Sequence, residues 1–183
     1  VELKGERLLS SDRATAWAAL NDTEMLRNCV PGCESITATG ENQFEIAMTA
    51  AVGPVKSRFK GKLALEDVDA PNAYTMKFEV SGGPTGFARG EARVTLTESA
   101  AQQTRLNYVA NAHIGGKLAQ VGSRLIDAAA GATADKFFEA FGAQLAARAA
   151  PVAGAPATAP APAKIGFFSL LLAFLRRLIG RSG

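Results

Sequence analysis

The sequence predicts an α+β domain, with a curved antiparallel sheet of about seven strands gripping one long C-terminal helix and two short helices after the first strand. Three observations carry this. Apolar residues recur with a period of two from Phe44 to Ile114, which marks antiparallel strands with one dry and one wet face. The period then changes to about 3.6, from Gly122 to Leu145, which marks one amphipathic helix. Between Asp12 and Asn28 lie two short stretches that open on capping residues. A lone helix with one apolar stripe has to bury it on the dry face of the sheet, and a twisted sheet of this size curls to receive it.

Taken in order, ELKGERLLS is the first strand. Ser10, Ser11 and Asp12 offer N-cap oxygens to RATAWAALN, which turns Ala16, Trp17 and Leu20 to one side. Asp22 or Thr23 caps a second short helix, and Val30-Pro31-Gly32 ends it. Phe44, Ile46 and Met48 then alternate with polar neighbours. Val55, Phe59, Leu63 and Leu65 share a face opposite Lys56, Arg58, Lys60 and Lys62. Tyr74, Met76, Phe78 and Val80 continue the pattern, as do Ala88 to Leu96 and Leu106 to Ile114. Gly122, Ile126, Ala130, Ala134, Phe137, Phe141 and Leu145 form the helical stripe, and Lys117, Arg124, Asp135 and Glu139 fall opposite it.

A hydrophobic fraction of 48% and a charged fraction of 20% fit a folded chain. The net charge of +3 is unevenly spread. Lys164, Arg176, Arg177 and Arg181 sit in the tail without an acid, which leaves residues 1–149 close to neutral. Nucleic acid is therefore not an expected partner, since a binder would carry its basic stripe on the folded domain. Cys29 and Cys33 lack the company of further ligands, and the one histidine, His113, lies on a wet face, so no metal site is expected. VELKGERLLSSD has no long apolar core, so no signal peptide is expected and the domain is placed in the cytoplasm.

The inward positions are unevenly sized. Ala50, Gly61, Gly90, Ala92, Ala110 and Ala112 are small, and so are Gly122, Ala129, Ala130, Gly131 and Ala134 on the helix. Small residues facing small residues either bring helix and sheet close together or leave a carbon-lined hollow, the usual form of a small-molecule site. On the second reading its lining is Phe44, Met48, Phe59, Leu63, Met76, Phe78, Tyr108, Ala110, Ile126, Phe137 and Phe141. No catalytic set points into the dry face, so no catalytic residue is expected. SGGPTG at Ser81–Gly86 joins two strands and reads as a mobile loop, a flap at the cavity mouth.

Residues 150–163 are an Ala/Pro-rich linker, extended and semi-rigid, reaching roughly 40 Å at about 3.1 Å per residue. Residues 164–183 follow with an apolar run of about eleven residues, where a membrane span needs about twenty. On a helical wheel Phe167, Phe168, Leu171, Leu172, Phe174 and Leu175 cover one side, while Arg176 and Arg177 fall on the other. That layout suits a helix lying in the plane of an anionic membrane surface.

MLRNCVPGCESI followed by VGPVKSRFKGKLALED resembles the carbon monoxide dehydrogenase G-subunit family, within the START-like (SRPBCC) helix-grip superfamily. The resemblance covers roughly residues 1–149, with Val30–Cys33 and Gly53–Lys56 as its most specific stretches. It implies a non-enzymatic accessory factor that recruits carbon monoxide dehydrogenase to the inner face of the cell membrane. It implies a lipid-like ligand, with a respiratory quinone or other isoprenoid the attractive cargo and no covalent cofactor. Tyr108 would then donate to a quinone carbonyl. Two other functions stay open: an anchoring adapter that binds no ligand, and a cyclase-like enzyme of the same superfamily.

Overall fold

The computed structural model describes residues 1–149, which belong to one of the two units into which the chain divides, Val1–Ala150. The linker and the tail, with Phe167, Phe168, Leu171, Leu172, Phe174, Leu175, Arg176 and Arg177, lie outside the described residues.

The chain runs β1 (Glu2–Leu9), α1 (Arg13–Leu20), α2 (Thr23–Cys29), β2 (Cys33–Gly40), β3 (Gln43–Val52), β4 (Val55–Asp69), β5 (Ala73–Ser81), β6 (Phe87–Ala100), β7 (Gln103–Gly115) and α3 (Ser123–Ala149). The strands form one antiparallel sheet in the order β1-β7-β6-β5-β4-β3-β2. This is the helix-grip arrangement that the sequence predicts. The apolar pattern does not single out β2, because this strand leaves most of its residues exposed and shows no alternation.

Asp12 caps α1 by accepting from the Thr15 backbone N–H at 2.9 Å, and Asp22 caps α2 by accepting from Met25 N–H at 3.0 Å. Such a cap contributes about 1 kcal/mol. The hydrogen bond from the Thr15 hydroxyl, followed by its N–H, holds the Asp12 carboxyl below its ordinary range. At Asp22 burial works against ionisation, but the Arg148 guanidinium at 2.6 Å and the Met25 N–H outweigh it. Both contributions are complete above the unfolded value of about 4 and are lost as pH falls through the depressed native values. The Arg148 contact also ties the end of α3 to the start of α2.

The long helix starts later than its stripe. Gly116–Val121 form a 3-10 segment, and Gly122 at φ 94° separates it from α3. Gly122 therefore turns the chain into the helix and is not part of the apolar stripe. Asp135 does not simply face solvent, because it pairs with Arg7 of β1.

The core gathers at one end. Phe141 and Leu145 of α3 are fully buried there against Met25, Leu9, Leu96 and Leu106, with Ala16 and Ala19 of α1 closing the end.

Candidate functional site

Register builds the inner face of the sheet row by row. Arg7, Leu106 and Leu96 lie in one row, and Gly5, Tyr108, Val94 and Tyr74 form the next. Above them come Leu3, Ala110, Ala92, Met76 and Leu65, then Ala112, Gly90, Phe78, Leu63 and Phe44. The two tyrosines thus mark the boundary between the packed end and a band whose middle is made of alanine and glycine.

The helix crosses this band. Its backbone lies close to β1, β3 and α2, with no comparable approach to the middle strands β4–β6. Along its stripe burial is complete only at the C-terminal end. Leu145 and Phe141 are sealed, Phe137 is half-buried against the core, and Ala134, Ala130 and Ile126 are half-buried. A Cβ added at Gly131 would meet nothing within 4 Å. Opposite, Phe44, Met48, Leu63, Met76, Phe78, Val80, Ala110 and Ala112 all face inward yet keep part of their surface open. A row of inward apolar side chains left half-open beneath a helix is the lining that the carbon-lined hollow expected from the sequence would need.

The sequence-derived lining divides accordingly. Phe44, Met48, Leu63, Phe78, Ala110 and Ile126 lie along the open band, with Met76 and Phe137 at its border with the core. Phe141 is not part of the lining. It has no exposed surface and stacks on Phe137 at 5.6 Å inside the packed end. Phe59 is also sealed, with its ring beneath Gly82. Two of the small residues have a different role from the expected one. A Cβ at Gly90 would fall on the Asn111 carbonyl oxygen and 2.9 Å from Ala112 Cα. A Cβ at Gly61 would fall on the Glu79 carbonyl and 2.6 Å from Val80 Cα. These glycines are required where neighbouring strands close up as the sheet coils, so they shape the hollow by curvature and not by leaving volume.

The polar groups on the inner face are few. Tyr108 stacks on Phe138 with centroids 5.3 Å apart, and its hydroxyl lies over Gly5, 2.6 Å from where a Cβ would stand. Tyr74 packs edge-on against Trp17 at 5.6 Å, and burial pushes its pKa up to about 12, so it remains a neutral donor. Among the described residues neither hydroxyl has a hydrogen-bond partner, and neither oxygen is sealed from water. Tyr74 is a second inward hydroxyl that the sequence-derived lining leaves out. Arg7 is another omission, although its parity with Leu3, Gly5 and Leu9 announces it. Its guanidinium lies 5.3 Å from the Phe138 ring centroid and pairs with Asp135.

The Ser81–Gly86 loop is not a free flap. It forms a 3-10 turn held by Gly82 N–H to Gly86 O at 2.8 Å and by the Thr85 hydroxyl donating to Ser57 Oγ at 3.0 Å. Cys29 and Cys33 are free thiols, and burial raises both pKa values. His113 is exposed beside Phe87 on the outer face. A groove of about 830 Å³ also crosses the sheet there, walled by charged and polar residues such as Lys62, Glu79, Arg89 and His113 and floored by Leu63, Phe78, Gly90 and Ala112. No residue of α3 lines this groove, which shares the strand backbone of the band but opens on the outer face of the sheet.

The family model of the carbon monoxide dehydrogenase G-subunit, CoxG, matches residues 5–146. A conserved protein from Geobacillus kaustophilus is similar in structure, with a TM-score of 0.76 and 26% identity over 80% of this chain and 96% of that one. A START superfamily protein from Mycobacterium smegmatis shares the fold at 10% identity, with a TM-score of 0.64 over 80% and 98% of the two chains. An aromatase/cyclase from Streptomyces sp. R1128 does so at 10% identity and 0.64, over 85% and 99%. No curated protein matches the sequence.

Proposed function

The chain belongs to the CoxG family, the G-subunit family of carbon monoxide dehydrogenase, and from that premise we propose a non-enzymatic accessory protein that carries a membrane lipid and couples carbon monoxide dehydrogenase to the membrane. The cargo proposed is a respiratory quinone or another isoprenoid. The half-open apolar band beneath α3 is the observation that carries this reading. A prenyl chain drawn from a bilayer needs a dry lodging, and each buried Å² of it contributes about 25 cal/mol. A quinone ring also needs a donor for its carbonyl. Tyr108 stands at the floor of the band with a hydroxyl that has no hydrogen-bond partner among the described residues and a ring already stacked on Phe138. A hydroxyl at that place gives the head of a polar-headed, apolar-tailed guest a donor.

In this role the chain supplies no redox chemistry. It lowers the cost of moving an insoluble electron acceptor to the enzyme. Purified dehydrogenase supplied with carbon monoxide and quinone-containing vesicles tests the proposal. Quinone reduction is expected to depend on added full-length chain and to saturate with it. A rate that is the same without the chain contradicts the proposal.

A further inference from the structure

The two ends of the domain differ in charge as well as in packing. Antiparallel pairing puts the β3–β4 hairpin, the β5–β6 turn, the segment after β7 and the first turn of α3 at one end of the sheet. Contacts join them into one rim. Thr85 bonds Ser57, Gly116 approaches Gly86, and Gly53 lies beside Leu125, whose Cδ1 is 3.2 Å from a Cβ built there. The stretches that form this rim, residues 50–61, 80–90 and 112–126, contain Lys56, Arg58, Lys60, Arg89, Lys117 and Arg124 and no Asp or Glu. The acids that reach in are Glu34 of β2, which occupies Arg58, Glu79, which stands opposite Arg89, and Glu2 at the start of β1. The other five cations are exposed and form no ion pair among the described residues.

The opposite end is acidic in its connections. Glu41, Glu66, Asp67, Asp69 and Glu98 are all exposed there. The charge is therefore polarised along the strands in a domain whose net charge is near zero.

Apolar side chains project between the rim cations. Pro54 is exposed at the tip of the β3–β4 hairpin, where Gly53 at φ 56° takes the first turn position as a two-residue hairpin requires. Leu125 beside it is 46% exposed. Cations surrounding a small exposed apolar knob match a lipid surface, where the charge meets the head groups and the knob enters the boundary.

We infer that this rim is a docking surface for an anionic bilayer, seating the domain with the start of α3 against the membrane and α1 and α2 away from it. The rim's charge does not depend on what fills the hollow, so the inference and the cargo reading succeed or fail separately.

The full-length chain with Pro54→Trp carries a reporter indole on the rim, and native Trp17 provides one at the packed end. Vesicles with brominated acyl chains quench only indoles that reach the acyl boundary. On phosphatidylglycerol-rich vesicles the rim indole is expected to be quenched at least twofold, and Trp17 in the native chain is not. Adding Lys56→Glu and Lys60→Glu is expected to abolish that quenching while thermal unfolding stays unchanged. Leu125→Trp gives the same reading should Pro54→Trp unfold the hairpin. A chain that floats with anionic vesicles while neither rim indole is quenched overturns the inference. Equal quenching on purely phosphatidylcholine vesicles overturns it too, as does binding of the rim to an acidic protein but not to lipid.

Discussion

Ala112→Phe is expected to empty the protein of lipid without unfolding it. Ala112 pairs with Gly90 in the middle of the small-residue band and is half-buried. A benzyl group there projects into the space that the guest would occupy. Copurifying lipid should fall by roughly tenfold or more, equivalent to about 1.4 kcal/mol of affinity. The stability change decides between the two readings of the small residues. In a closely packed interior the added ring would cost about 1–3 kcal/mol. In a hollow it meets little and gains apolar contact, so the unfolding midpoint stays level or rises. A variant that loses stability and keeps its lipid shows that this part of the interior is filled.

The second large effect separates the two ends of the interior. Phe141→Ala should cost about 3–5 kcal/mol, because the ring is sealed among Leu145, Phe137 and the α1–α2 contacts. For a domain of this size that lowers the melting temperature by roughly 10 °C. Phe78→Ala removes the same atoms from the open band, where the ring is only half-buried. Its cost should be less than half as large, about 1–2 kcal/mol. Denaturant titration of both variants gives the comparison directly. Equal losses would mean that Phe78 is packed as tightly as Phe141, leaving no room for a guest.

The alternation in β3 to β7 and the stripe on α3 make the architecture legible, because burial on one face imposes its period on the residues. β2 escapes notice for the converse reason: it buries little and so shows no period, unlike β1 at the other edge, which alternates along its whole length. The hollow is legible only in outline. Alanine and glycine look alike in a pattern, yet Ala110 and Ala112 are half-buried on the inner face while Gly61 and Gly90 answer to backbone crowding. Which half of the α3 stripe is sealed depends on α1 and α2 folding back over Phe141 and Leu145, a long-range event that no local period records. The Arg7–Asp135 pair is of the same kind, joining residues from the two ends of the domain's sequence. The polarised charge is concealed by the near-neutral total and emerges once topology sorts the connections to opposite ends.

The central claim is that the space beneath α3 holds a lipid. Mass spectrometry of an organic-solvent extract from purified full-length chain tests it most directly. The prediction is one prenylated lipid recovered in near-stoichiometric amount from the native chain and lost from Ala112→Phe. A native chain that yields no lipid, even after incubation with quinone-loaded vesicles, would contradict it.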